Sequence, residues 1–312
     1  MSEWCMENPE NIVINVDKGH YVHLINVEQY LSPLSGKPSA LLILNQKIDI
    51  AEVFLEIWHH YKLKVCADGG ANRLYELFGD DESARSRYLP DYIVGDLDSL
   101  DVEVEKYYKR KNVVIIRQFT QYSTDFSKCL DVIALHWTSP MFVQKVRSST
   151  EENHSIELYD GLATWRKNLD FNGGIKINTL ALGGINGRFD QTIHSISQLY
   201  QLSSDRSQFN LCYLSSTDLI FLIPSKGTLL TYSKEFRQAC IGNCGLLPLG
   251  LPTVLQETRG LKWDVGNWPT SVQEGRVSSS NRFVGENKCL LRTKDSVVIS
   301  VEIHIANLKN FL

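Results

Sequence analysis

The chain has 312 residues, 43% of them hydrophobic and 22% charged, with a formal net charge of −4. That is enough apolar material for a substantial core and for more than one domain. A mildly acidic chain without a long Lys/Arg run has no electrostatic footprint for nucleic acid, and no apolar stretch reaches the length of a membrane span.

In chain order, residues 1–38 carry no strong pattern and read as a peripheral arm. Their start, "MSEWCMENPENIVINVDKGH", has acidic residues and lacks the basic and apolar regions of a secretory or transit signal. From residue 39 short apolar runs alternate with helical periods. Strands are predicted at 40–45, 63–70, 91–96, 113–118 and 177–184, and helices at 50–61, 71–78, 102–111, 125–136 and 191–202. Such alternation means βαβ units and a parallel sheet covered on both faces. Residues 139–175 interrupt the rhythm with a polar, mixed stretch that reads as a surface insertion. His136 and His194 fall on apolar faces of predicted helices and are expected to point into the core. After about residue 205 the helical periods give way to short strands, "DLIFLI" and "SVVISVEIHI" among them, separated by Gly, Pro, Asn and Ser. That is the pattern of a β-sandwich or barrel. The expected organisation is an arm over 1–38, an α/β domain over 39–210 and an all-β domain over 211–312.

The seven cysteines (Cys5, Cys66, Cys129, Cys212, Cys240, Cys244, Cys289) are odd in number, and several lie inside apolar runs. Buried, reduced thiols and a cytoplasmic location are therefore expected. Cys240 and Cys244 have no second Cys/His pair at the spacing of a zinc site.

Ligands of an open parallel sheet bind beyond the carboxyl ends of its strands. Here those ends are polar. Asp68 follows "LKVCA", and Asp96 and Asp98 follow "DYIVG". Gln118, Gln121, Thr124 and Asp125 follow "VVII", and Gly183, Gly184, Gly187, Arg188 and Asp190 follow "INTLAL". Clustered carboxylates repel unless a cation sits among them, and Mg²⁺ takes one or two carboxylates while substrate phosphates fill the rest of its shell. Asp96 and Asp98, with Asp68 or Asp125, thus form a candidate pocket for one or two Mg²⁺ ions. "LGGINGRFD" suits a phosphate cradle, because glycines let backbone N–H groups approach an anion and Arg188 offers a bidentate fork. Each residue has a plainer role as well. Asp125 and Asp190 stand where helix caps stand, Asp68 suits a turn, and Arg188 suits a surface ion pair. Repetition at successive strand ends favours the site. Further along, "ETRGLKWDVGNWPTS" and "GRVSSSN" combine Trp263, Trp268 and a Ser-Ser-Ser-Asn run. They suit either a pocket for a flat cationic heterocycle or ordinary packing and a solvated turn. The chain has no P-loop, no protein-kinase motif set and no G-x-S-x-G.

Together, "CADGGANRLY", "LPDYIVGDLDSL", "QYSTDFSKCL", "LALGGINGRFDQT", "TRGLKWDV" and "GRVSSSN" resemble the thiamine pyrophosphokinase family of the eukaryotic, fungal kind, in family order across roughly residues 40–302. The resemblance implies an N-terminal α/β domain, a C-terminal β-sandwich and a homodimer. It implies transfer of the pyrophosphoryl group of ATP to the hydroxyl of thiamine, giving thiamine diphosphate and AMP. Asp68, Asp96, Asp98 and Asp125 match the Mg²⁺ and phosphate site, and Gln121 a contact near the reacting groups. Arg188 and Asp190, with Gly184 and Gly187, match ATP contacts. Trp263, Ser279 and Asn281 match the thiamine pocket, with the tryptophan supplied by the other subunit. Two other readings remain: a metal-dependent phosphohydrolase, and a non-enzymatic nucleotide-binding regulator.

Overall fold

The computed structural model describes residues 2–148, 156–167 and 174–312. In chain order its strands are Trp4–Glu7 (β1), His23–Asn26 (β2), Ser39–Ile43 (β3), Leu63–Ala67 (β4), Tyr92–Gly95 (β5), Val114–Arg117 (β6), Ile177–Leu182 (β7) and Phe209–Leu214 (β8). They continue with Asp218–Ile223 (β9), Thr228–Thr231 (β10), Ile241–Leu247 (β11), Thr253–Arg259 (β12), Trp263–Thr270 (β13), Ser278–Arg282 (β14), Lys288–Thr293 (β15) and Val297–Ile303 (β16).

Ten of these strands form one sheet in the order β14-β11-β16-β9-β8-β7-β3-β4-β5-β6. From β8 to β6 every neighbouring pair is parallel, and from β14 to β8 every pair is antiparallel. The α/β half and the β-rich half therefore share a backbone ladder. The expected boundary at residue 210 falls inside β8, which pairs in parallel with β7, so the α/β order runs on to Leu214. A second, six-stranded sheet runs β1-β13-β12-β15-β10-β2. Residues 1–38, read as a peripheral arm, supply both of its edges. β1 pairs with β13, and β2 pairs with β10.

The burial explains why the sequence writes β3 as a continuous apolar run rather than an alternation. All five residues of Ser39–Ile43 are buried. Leu41 and Ile43 pack on one face of the ten-stranded sheet and Ala40 and Leu42 on the other. The first face is covered by the helices Ala51–His60, Gly70–Leu77 and Val102–Arg110, and further along by Leu230, Leu255, Cys289 and Leu291 of the six-stranded sheet. This second contact makes the C-terminal half a two-layer β-sandwich. The opposite face is covered by the helices Asp125–Thr138, Pro140–Ser148 and Phe189–Asp205. Truncating a fully buried residue such as Leu42 to Ala would cost about 2–5 kcal/mol, a large share of a typical domain's stability.

Parts of the 139–175 stretch lie outside the described residues. Its described parts include Pro140–Ser148 and a short helix, Gly161–Lys167, held to the helix Asp125–Thr138 by an ion pair of Arg166 with Asp131 at 3.4 Å.

Candidate active site

Five parallel strands stand side by side in the order β7-β3-β4-β5-β6. The chain runs outward from β3 through β4 and β5 to β6, then crosses back to place β7 on the other flank of β3. The strand order reverses between β3 and β7, which is where open α/β sheets bind ligands. A cleft of about 500 Å³ lies at these carboxyl ends. Asp68, Asp96, Asp98, Gln121 and Asp125 line one side of it, and Gly183, Gly184, Arg188, Gln191, His194 and Gln198 line the other.

Local backbone geometry aims the carboxylates. Asp68 has φ +44° and Leu97 has φ +64°, both in the left-handed region. Asp tolerates that conformation, but for Leu it is strained and must be held by its surroundings. The Leu97 side chain is buried in the core, which anchors the turn and leaves Asp96 and Asp98 on either side of it facing the cleft. Gly95 is needed for another reason. A Cβ there would lie 2.8 Å from the Asp68 Cβ and 3.1 Å from Asp125 Oδ1, so only glycine lets these two carboxylates close on the strand end.

Exposure rises from Asp68, buried, through Asp96, intermediate, to Asp98, exposed. One carboxylate oxygen from each of the three lies within 4.8 Å of the others. Backbone amides and side chains both donate to these carboxylates. Asp68 Oδ2 accepts from Ser99 N–H at 3.2 Å, and Asp96 Oδ1 from Asp98 N–H at 3.3 Å. Asp125 Oδ1 accepts from Asp96 N–H at 3.2 Å. Gln121 Nε2 donates to Asp96 Oδ2 at 2.8 Å. Asp125 Oδ1 also takes a 3.0 Å bond from Lys128 Nζ, on a lysine side chain only 4% exposed. Asp68 Oδ1 is buried and has no hydrogen-bond partner among the described residues.

The charges respond to this crowding. Burial first, and the neighbouring Asp125 second, push the Asp68 carboxyl up to about 6. Burial also raises Asp125 against the pull of Lys128. For Asp96 burial acts upward as well, but the bonds from Gln121 and from Asp98 N–H outweigh it and hold the group below its ordinary value.

On the opposite wall, Gly184 packs so tightly that a Cβ would lie 2.5 Å from the Tyr213 ring. Arg188 is the N-cap of the helix Phe189–Asp205 and is exposed. Its Nη2 lies 2.6 Å from Asp190 Oδ2. Asp190 is a first-turn residue rather than the cap, and Thr124 rather than Asp125 caps the helix Asp125–Thr138. Neither Asp190 nor Gly187 is among the cleft-lining residues. Arg188, between them, and Gly184, three residues before Gly187, are.

The structure corrects the expectation for His194, which lines the cleft beside Gln198 instead of pointing into the core. His136 is half-buried, with Nδ1 3.0 Å from the Tyr92 hydroxyl. Sequence reasoning also missed Asn45 and Gln46 at the end of β3, Lys128, and the Gln191/Ser195/Gln198 face of the helix. The strand-end rule, applied to "ALLILNQ" as it was to the other strands, would have found the first two.

Trp263, Ser279 and Asn281 are not among the cleft-lining residues. Trp263 opens β13 and is 41% exposed. Asn281, buried in β14, accepts from Trp263 N–H at 3.1 Å and donates to Trp263 O at 2.8 Å. Ser279 is exposed on the same strand, so the serine run forms a sheet edge rather than a turn. Next to it, Asp264 is buried and accepts from Asn8, Thr258, Gly260 and Leu261, which fixes the turn before Trp263.

Comparison with known proteins adds to this geometry. The family model described as thiamin pyrophosphokinase, catalytic domain, matches residues 54–212, and the one described as thiamin pyrophosphokinase, vitamin B1 binding domain, matches residues 233–298. Thiamine pyrophosphokinase of Saccharomyces cerevisiae is 54% identical over 319 residues, covering 100% of each chain. Thiamine pyrophosphokinase 1 of Arabidopsis thaliana is 30% identical, covering 90% of this chain and 93% of the relative. Among solved structures, yeast thiamin pyrophosphokinase superposes with a TM-score of 0.93 at 53% identity, covering 99% of this chain and 100% of the other. The Candida albicans protein gives 0.82 at 36% identity, with 97% and 100% covered.

Proposed function

The chain belongs to the thiamin pyrophosphokinase family, and from that premise we propose how its own residues carry the transfer. The reaction moves the pyrophosphoryl group of ATP to the hydroxyl of thiamine and yields thiamine diphosphate and AMP. One observation carries the site assignment: three carboxylates from two adjacent strand ends bring oxygens within 4.8 Å of one another, with a fourth, Asp125, hydrogen-bonded to the same turn.

Such a set suits Mg²⁺. The ion is hard, prefers oxygen, and completes its shell with water and phosphate oxygens. The orphaned oxygen of Asp68, and the burial and neighbouring Asp125 charge that raise its pKa, favour a cation there. Asp68, Asp96 and Asp98 would hold it, with Asp125 at their side. Bound there, the cation supplies charge neutralisation for the transferring phosphates.

The protein's residues do the rest. Gln121, fixed on Asp96, presents its amide at the mouth of the cleft. Asp98, exposed, and Asp125, whose burial raises its pKa, are the two carboxylates placed to take the proton of the attacking hydroxyl. Gly184 keeps one wall close to the strand end. Arg188 exchanges its exposed partner Asp190 for phosphate oxygens as ATP enters, which costs little because a solvent-screened surface ion pair contributes little. Trp263, Ser279 and Asn281 receive thiamine, the indole face attracting its cationic ring. They stand apart from the cleft of the same chain, which supports a homodimer whose sites join the rim of one subunit to the tryptophan of the other. Six of the seven free cysteines are buried, in keeping with a reducing cytoplasm. Among the described residues no helix is long and apolar enough to cross a membrane.

Incubation with ATP, Mg²⁺ and thiamine, followed by product analysis, tests the reading. AMP with thiamine diphosphate is expected. Inorganic phosphate without a diphosphorylated product would mark a hydrolase, and no turnover would mark a nucleotide-binding regulator.

A further inference from the structure

We propose that Gln118 latches residues 157–162 onto the loop that carries Gln121, and so acts as a positioning residue for the transfer. The proposal rests on the site reading above, in which Gln121 works from the cleft.

Gln118 follows β6 and is fully buried. A buried amide needs all its partners, and here they come from two directions. Its backbone N–H donates to Gly95 O at 2.8 Å, next to Asp96. Its side chain reaches the other way: Nε2 donates to Arg117 O at 2.7 Å and to Glu157 O at 2.8 Å, and Oε1 accepts from Leu162 N–H at 2.9 Å. Two backbone bonds continue the contact. Phe119 N–H donates to Leu158 O and Thr120 N–H to Tyr159 O, each at 2.8 Å.

The partner segment is itself closed. The Glu157 carboxylate accepts from Tyr159 N–H at 2.6 Å and Asp160 N–H at 2.9 Å, and Gly161 N–H donates to Glu157 O at 3.0 Å. Ile156 and Leu162 anchor it in the core. The segment thus behaves as a rigid strap rather than a loose loop. From it a chain of bonds leads into the cleft. Phe119, held by the strap through its N–H, accepts at its carbonyl from Gln121 Nε2 at 3.4 Å, and that same nitrogen donates to Asp96 Oδ2 at 2.8 Å. The bonds to the strap end one residue short of Gln121. Satisfying a buried loop would explain the bonds of Gln118 alone. The added two-rung ladder beside Gln121 points to positioning.

Two variants test it. Gln118→Met keeps the volume and removes the latch. Glu157→Ala opens the strap through an exposed side chain and leaves the core untouched, so a folding failure of the first does not end the test. Gln118→Met should lower kcat by about tenfold, the scale of one buried hydrogen-bond network member, and Glu157→Ala by a smaller factor because its bonds are exposed, with KM for ATP and thiamine within about twofold in both. Amide exchange at Phe119 and Thr120 should quicken by about tenfold. In a Gln121→Ala background, adding Gln118→Met should lower kcat no further, because both changes act through one side chain. Unchanged exchange would overturn the latch. Faster exchange with unchanged kcat, or an additive loss with Gln121→Ala, would overturn the positioning role. A wild-type chain that makes no thiamine diphosphate overturns the functional reading instead, and the exchange comparison then decides the latch by itself.

Discussion

Asp68, Asp96 and Asp125 each accept a hydrogen bond from a backbone amide of the rim, whereas Trp263 is held through its backbone by Asn281 and is 41% exposed. The first arrangement is finished within one chain. Its carboxylates are oriented before any ligand arrives, and orientation in advance is where much of a phosphoryl-transfer enzyme's power lies. The second arrangement offers a partly exposed tryptophan on a backbone held at both its N–H and its C=O. An oriented rim and an exposed tryptophan outside its cleft are the two halves that the proposed two-copy site would have to bring together.

The largest effect should come from breaking the rim. Asp96→Asn and Asp98→Asn are each expected to cut turnover by about 10²–10⁴-fold at saturating Mg²⁺, with the thermal midpoint unchanged or raised. Near-normal turnover in steady-state assays would remove that residue from the rim's chemistry.

The comparison itself is sharpened by mixing. Trp263→Ala should be nearly inactive at low thiamine. When it is mixed with Asp98→Asn and the subunits exchange, a shared site requires one intact and one doubly damaged site per heterodimer. Equal amounts then restore about a quarter of all sites by two-fold symmetry. If mass spectrometry shows exchange and activity does not rise above the parents' sum, Trp263 serves its own subunit.

A smaller effect is expected at the opposite wall. Arg188→Lys should raise KM for ATP by roughly tenfold and leave that for thiamine nearly unchanged, since a point charge replaces a fork. Kinetic constants that do not move would return Arg188 to a surface ion pair with Asp190.

The smallest concerns the free protein. Asp68 is raised from 3.8 to about 6, so between those values the native state holds a proton that the unfolded chain has released. Stability from this group is present below about pH 4 and is lost as pH rises toward 6 and beyond. Asp68→Asn should therefore raise the midpoint by roughly 2–4 °C at pH 7–8 without Mg²⁺, and by less at pH 4. Calorimetry showing equal shifts at both pH values would place the penalty elsewhere.

Much of the rim was legible because its signals are local. A β-branched run ending in "GDLD" names its own strand end, and the strand-end rule needs no knowledge of partners. His194 was misread because helical periodicity tells which side of a helix is apolar, not that one end of that side overhangs a cleft beyond the sheet. The first 38 residues were opaque for a different reason. β1 reads as four exposed residues, and its ladder with β13 exists only in three dimensions. The continuity of the two halves through β8 and β9 was equally hidden, since a strand shared by parallel and antiparallel neighbours carries no separate signature.

That long-range edge has a consequence for how the chain is made. Asn8 bonds to Asp264, 256 positions away, and β1 lies alongside β13. At roughly 5–20 residues per second, a ribosome would leave the first strand without its partner for about 13–50 s. During that interval Trp4 and Met6 are apolar groups on an unpaired edge, exposed to any other nascent chain. The same adjacency lays the end of β1 beside the Trp263 mount, with Glu7 opposite Trp263 in register. A change at Glu7 would therefore be felt at the strand that mounts the ring proposed to receive thiamine.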